Sequence, residues 1–196
     1  MKPWEESDRY NYPLTGSSFV MDVGGFGGNF SAIIRDKYGC RVKCYEPAKG
    51  FYEAIAARFL DDSLVEVVNY GLGDKTELRT FRIKGDMTGA WADYGPTEVV
   101  QLVGIGDEMR NLGNPTVDLL KINTEGGEYP LMESILDQGL VGRFRNIQIQ
   151  FHAIPDLNPI ARWEKIRNRL TETHRLEYAD PSMEFTSNSW EGWSIR

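Results

Sequence analysis

The chain is poor in cysteine and histidine, with two of each in 196 residues, and its acidic side chains outnumber its basic ones. A formal charge of −7 excludes a broadly basic surface of the kind that neutralises nucleic-acid phosphates or anionic lipid, and leaves room only for a local basic patch. Cys40 and Cys44 fall in one strand-like run. The usual rise per residue sets them about 13 Å apart, too far for a disulfide, so both read as buried reduced thiols. No apolar run approaches the roughly 20 residues that span a bilayer. Residues 1–14 carry Glu5, Glu6 and Asp8 and lack the apolar core of a signal peptide. The expectation is a cytoplasmic protein without nucleic-acid or membrane partners.

What is present is enough for one globular core: 41% of residues are hydrophobic, which argues against disorder over most of the chain. Residues 1–17, broken by Pro3, Pro13 and Gly16, read as an irregular leader. Residues 18–196 read as a single domain. The short stretch before the first strand also fits a piece excised from a larger protein.

The apolar run 18–23 stops at glycines and predicts a buried strand. Phe30, Ile33, Ile34 and Tyr38 lie at helical spacing over 29–38. A strand over 41–45, a helix over 51–60 and a strand over 65–70 complete a β-α-β-α-β pattern, the mark of a parallel doubly wound sheet. Residues 77–83 and 98–105 are β-rich with only the glycine-rich 85–95 between them, which predicts an inserted strand pair with an exposed loop. Strands over 117–123 and 146–152 bracket a helix over 129–138. An amphipathic helix over 159–171 precedes a closing strand pair over 175–180 and 189–195.

Three segments carry chemistry. In Asp22-Val-Gly24-Gly25-Phe-Gly27-Gly28, glycines after the first strand let a ligand approach the backbone closely. A dinucleotide fingerprint fits this run imperfectly, because its third glycine falls on Phe30 when the run is read from Gly25. Asp22 would repel a pyrophosphate but attract a cationic sulfonium with a free amino group. Glu46 ends the second strand, where an acid can accept hydrogen bonds from both hydroxyls of a ribose. Leu120-Lys-Ile-Asn123-Thr124-Glu125-Gly-Gly-Glu128 runs from a buried strand into a helix. Ligands of open α/β sheets bind at such strand ends, so Asn123, Thr124, Glu125 and Glu128 are expected to face the cleft. Helix capping is the other use for either glutamate.

The runs VMDVGGFGGNFS, CYEP, VVNYGLGDK and DLLKINTEGGEYPLMESI resemble, in order and spacing, the FkbM-type methyltransferases. The glycine turn is common to all class I methyltransferases, whereas the K-I-x-x-E-G-x-E segment is specific to FkbM-like proteins. The resemblance implies an α/β, Rossmann-like, seven-stranded methyltransferase sheet. That sheet is mostly parallel, with an antiparallel C-terminal strand pair and here an extra β-hairpin insertion. It also implies S-adenosylmethionine as donor and O-methylation of a sugar, glycan or natural product. Carried across, Asp22, Gly24, Gly25 and Gly27 would hold the methionine part, with Asn123 beside them. Glu46 would hold the ribose and Leu72 would pack near the adenine. The family usually has Asp where this chain has Asn123, which argues against a metal there and removes one base.

Transfer to a hydroxyl needs the acceptor oxygen about 3 Å from the methyl carbon, in line with the breaking bond, and a base for the proton. His152, at the end of the strand beside the Asn123 strand, is the expected base, with Glu125 as its rival. Asp86 and Trp91 in the insertion, with Glu128, are the expected acceptor contacts. Two other readings stay open. One is an N-methyltransferase on nucleic acid, which the acidic balance and the missing (Asp/Asn)-Pro-Pro-aromatic motif oppose. The other is a cofactor-binding module without catalysis.

Overall fold

A computed structural model describes residues 5–180 and 189–196. Residues 1–4 of the expected leader lie outside the described residues. Strands β1 (Phe19–Val23), β2 (Arg41–Tyr45) and β3 (Val65–Val68) alternate with helices α1 (Asn29–Tyr38) and α2 (Lys49–Arg58). Then come β4 (Gly71–Gly73), β5 (Glu77–Arg82), β6 (Thr97–Gly104) and α3 (Ile105–Asn111). The chain continues through β7 (Leu119–Ile122), α4 (Glu128–Asp137), β8 (Asn146–Phe151), α5 (Pro159–Leu170), β9 (His174–Ala179) and β10 (Ser189–Ile195).

Seven strands form one sheet in the order β3-β2-β1-β7-β8-β10-β9. The β3 to β8 pairings are parallel, and β10 runs antiparallel to both neighbours. Alternation along the strands divides the core. Met21, Val23, Leu120 and Ile122 face α3, α4 and α5, while Val20, Val42 and Leu119 face α1 and α2. The order reverses between β1 and β7, so a crevice opens there at the carboxyl ends of the strands.

Three local features differ from the sequence reading. The insertion is a three-stranded sheet, β4-β6-β5, because the Gly71–Gly73 strand pairs in parallel with β6 beside the expected hairpin. The end of the second inserted run turns into α3 at Ile105. The leader packs on the sheet: Leu14 is buried among the α1–α2 contacts, and Tyr12 Oη donates to Gln148 Oε1 at 2.8 Å.

Candidate active site

The glycine turn after β1 folds back on β2. The amides of Gly24 and Gly25 both donate to the Tyr45 carbonyl, at 3.0 and 3.1 Å. Gly24 has φ +85°, and a Cβ there would fall 1.8 Å from the Asn123 carbonyl oxygen, so only glycine lets β1 and β7 end side by side. Phe26, in the left-handed region at φ +48°, donates its amide to Glu46 Oε2 at 2.8 Å. Ala48 donates to Glu46 Oε1 at 2.9 Å. Both carboxylate oxygens are thus fixed by backbone N–H groups, and each keeps lone-pair capacity. Burial pushes the Glu46 carboxyl up from its usual range, against the pull of those two donors.

Asp22 is fully buried and lies behind the turn. Register sets it opposite Lys121 on β7 and Cys44 on β2. Lys121 Nζ lies 2.8 Å from Asp22 Oδ1 and donates to the Gly24 carbonyl at 2.7 Å; Ser31 Oγ donates to Asp22 Oδ2 at 2.6 Å. The expected direct contact of Asp22 with a ligand is replaced by a buried ion pair that braces the turn. Lys121, missed in the sequence, looks there like an interruption of an apolar strand.

The crevice is a cleft of about 900 Å³, its open mouth included. Its lining includes Gly24, Phe26, Glu46 and Asn123 from the strand ends of the main sheet and the loops after them, together with Leu72, Arg79, Phe81, Asp86 and Trp91 from the insertion and Glu125 from the loop after β7. Gly25 and Gly27 do not reach it. Gly25 backs onto Cys44 Sγ, and the Gly27 carbonyl accepts from Arg58 Nη1 at 2.8 Å. The Phe26 ring meets Phe51 edge-on at 5.0 Å between centroids, an aromatic pair at the rim that no motif marked.

Between β7 and α4 the backbone strains. Glu125 has φ +48° and Gly126 has φ +105°. A Cβ on Gly126 would come within 2.6 Å of Ile154 Cδ1 and 2.7 Å of Trp91 Cε3, so the insertion rests directly on this loop. Glu128 is fully buried beneath it. Oε2 accepts the Gly126 amide at 2.8 Å, and Oε1 accepts the His152 amide at 2.9 Å and lies 3.1 Å from His152 Nδ1. The expected acceptor contact of Glu128 is therefore not met, because its helix N-terminus is turned into the core.

His152 is also buried outside the cleft lining. Its Nε2 lies 2.7 Å from Glu125 Oε1, an ion-pair distance without hydrogen-bond alignment. Burial works against the imidazolium, but Glu128 and Glu125 outweigh it and hold the His152 pKa up to about 10. A histidine charged at neutral pH has no lone pair for a proton, so its burial and charge disfavour the expected base, while its rival Glu125 lies among the cleft-lining carboxylates.

A seven-stranded sheet reversed at β10, with a glycine turn at its switch point and a fixed carboxylate, Glu46, after the neighbouring strand, is the arrangement of a class I methyltransferase. Residues 22–176 match the FkbM methyltransferase domain, and the chain belongs to that family. Among solved structures, an rRNA methylase from Streptococcus thermophilus superposes with TM-score 0.55 at 12% identity, over 93% of this chain and 89% of that one. A precorrin-6y C5,15-methyltransferase from Geobacter metallireducens gives 0.53 at 12%, over 96% and 84%. TrmK from M. capricolum, solved with S-adenosylhomocysteine, gives 0.50 at 10%, over 94% and 65%. At these identities the likeness is one of fold. No curated protein matches.

The family implies S-adenosylmethionine, and the residues present fit it. Glu46 offers a fixed pair of acceptors for a ribose diol. Among the described residues, Asn123 Oδ1 is buried without a partner at the cleft wall, an acceptor suited to an ammonium donor. The chain is an S-adenosylmethionine-dependent methyltransferase. Among the described residues, no helix is long and apolar enough to cross a membrane.

Proposed function

We propose that the chain is an O-methyltransferase that methylates a hydroxyl of a small molecule or glycan, with Glu125 as the base. The observation that carries this reading is the Glu125 carboxylate, which lines the cleft on a strained loop and is backed by the buried His152 at 2.7 Å. S-adenosylmethionine supplies an already activated methyl group when bound. Glu46 binds the ribose hydroxyls, Leu72 packs on the base, and Asn123 accepts from the ammonium. Glu125 takes the proton that leaves the acceptor oxygen as the new C–O bond forms. His152 and Glu128 hold that carboxylate in place without touching the acceptor.

Trp91 and Phe81 give the acceptor side two aromatic faces, and Asp86 gives it a hydrogen-bond acceptor, a combination suited to a sugar ring. The net charge opposes a nucleic-acid acceptor. Two buried free thiols suit a reducing compartment such as the cytoplasm. The test is incubation with methyl-labelled S-adenosylmethionine and a panel of sugars, polyols, amino sugars and nucleosides, followed by product analysis. Label on oxygen supports the reading. Label on nitrogen contradicts it, and cofactor binding without turnover points to a module without catalysis.

A further inference from the structure

The inward face of β5 presents Glu77, Arg79 and Phe81, because burial alternates strictly along that strand. Among the described residues, Arg79 is the one cationic side chain in the cleft lining. Its guanidinium lies 4.7 Å from the centroid of the Trp91 ring. Among the described residues it makes no side-chain hydrogen bond, and its ion-pair partner, Glu77, is no closer than 3.8 Å. The neighbouring cations are committed elsewhere. Lys84 Nζ pairs with Asp93 at 2.8 Å, Arg82 points outward toward the Gly95 carbonyl, and Lys121 is held by Asp22.

We propose that Arg79, packed over the Trp91 ring, is the acceptor-specificity residue and binds an anionic oxygen group, carboxylate or phosphate, on the hydroxylated acceptor. A guanidinium presents its N–H donors in a planar fork that matches such a group two bonds at a time. Stacking on an indole fixes the fork without consuming those donors. The strand gives it a rigid base, and Trp91 is itself seated on Gly126, next to Glu125. The anion-binding group and the proposed base are therefore joined through two contacting residues. An acceptor anchored at Arg79 presents a hydroxyl elsewhere on its ring to Glu125. The acids of the lining, Glu46, Asp74, Asp86 and Glu125, would repel an anion placed away from Arg79, which restricts it to this one point. One cation also limits the partner to a small anion, since nucleic acids are held through many phosphate contacts.

This inference rests on the O-methyltransferase reading, and one experiment separates the two. The protein saturated with S-adenosylhomocysteine is titrated with glucose, glucuronate and glucose 1-phosphate, and with a single-stranded RNA. The same three sugars are tested as methyl acceptors. Glucuronate or glucose 1-phosphate should bind about tenfold or more tightly than glucose, and the anionic acceptor that wins identifies the source of the group. Arg79→Gln should erase that preference and raise KM for the anionic acceptor more than it lowers kcat. Arg79→Lys, a point charge without the fork, should recover only part of it. Equal binding of charged and neutral sugars, no binding of either anion, tighter binding of the RNA, or an unchanged preference in Arg79→Gln overturns the proposal. No methyl transfer to any of the three sugars, with the anion preference intact, removes Glu125 as hydroxyl base and leaves Arg79 in place.

Discussion

Nε2 of His152 lies 2.7 Å from Oε1 of Glu125, on the side of the imidazole opposite the Glu128 carboxylate. The ring bridges two glutamates seated at the two ends of one glycine pair. Its position ties β8 to the loop that carries the proposed base.

This bridge gives stability a pH dependence of definite sign. A histidine in the unfolded chain titrates near 6.5, and in the fold it is held up to about 10. The folded pKa is the higher one, so the contribution is complete below about 6.5 and is lost as pH rises through about 10. Urea midpoints followed from pH 6 to 10.5 should fall over that range more for the wild type than for Glu128→Gln. Parallel curves for the two proteins would remove His152 as the source.

Catalysis should show the same charge. The wild-type rate should have no histidine titration near neutrality, because His152 stays protonated there. Glu128→Gln lowers the His152 pKa and should bring a new inflection into the neutral range. A wild-type inflection near 6.5 that His152→Gln abolishes would restore His152 as the base.

Lys121→Met leaves Asp22 buried without its cation. Breaking one side of such a pair costs about 3–5 kcal/mol, and the double variant Asp22→Asn, Lys121→Met should recover much of it. Chemical denaturation of the three proteins measures this directly. A loss under about 1 kcal/mol for Lys121→Met would show that the ion pair does not brace the turn.

Gly126→Ala should cost about 1–3 kcal/mol through its positive φ and should also push Trp91 off the loop. The expected readout is a lowered melting temperature together with a raised KM for the acceptor. An unchanged KM would separate Trp91 from acceptor binding.

Most of the sheet was legible in the sequence, because buried parallel strands read as short apolar runs and α1 shows clean helical spacing. β4 was not legible: Gly71-Leu72-Gly73 has no strand propensity and exists only through pairing with β6. α3 was hidden because no side chain caps its start and the apolar run passes straight from Val103 to Ile105. The cleft walls Glu46, Asn123 and Glu125 came from position at strand ends, and Leu72 from the family resemblance alone. The roles of Asp22, Glu128 and His152 did not, since a sequence shows which strand end a side chain occupies but not whether it turns into the cleft or the core. Arg79 lacked any signal, because its meaning depends on Trp91, twelve residues away across the insertion.

Glu46→Ala removes two oriented acceptors from the ribose end. Affinity for S-adenosylhomocysteine should fall at least about tenfold, as read by calorimetry. An unchanged dissociation constant would take Glu46 out of the cofactor site.

The central claim is that the Glu125 carboxylate takes the acceptor proton. The direct measurement is the single-turnover rate of S-adenosylhomocysteine formation by Glu125→Gln, with cofactor saturating and the best acceptor of the sugar panel. The account predicts a rate about 10²–10⁴ lower than wild type, with cofactor affinity close to wild type. A rate within a few-fold of wild type, in a protein that still binds cofactor, would contradict it.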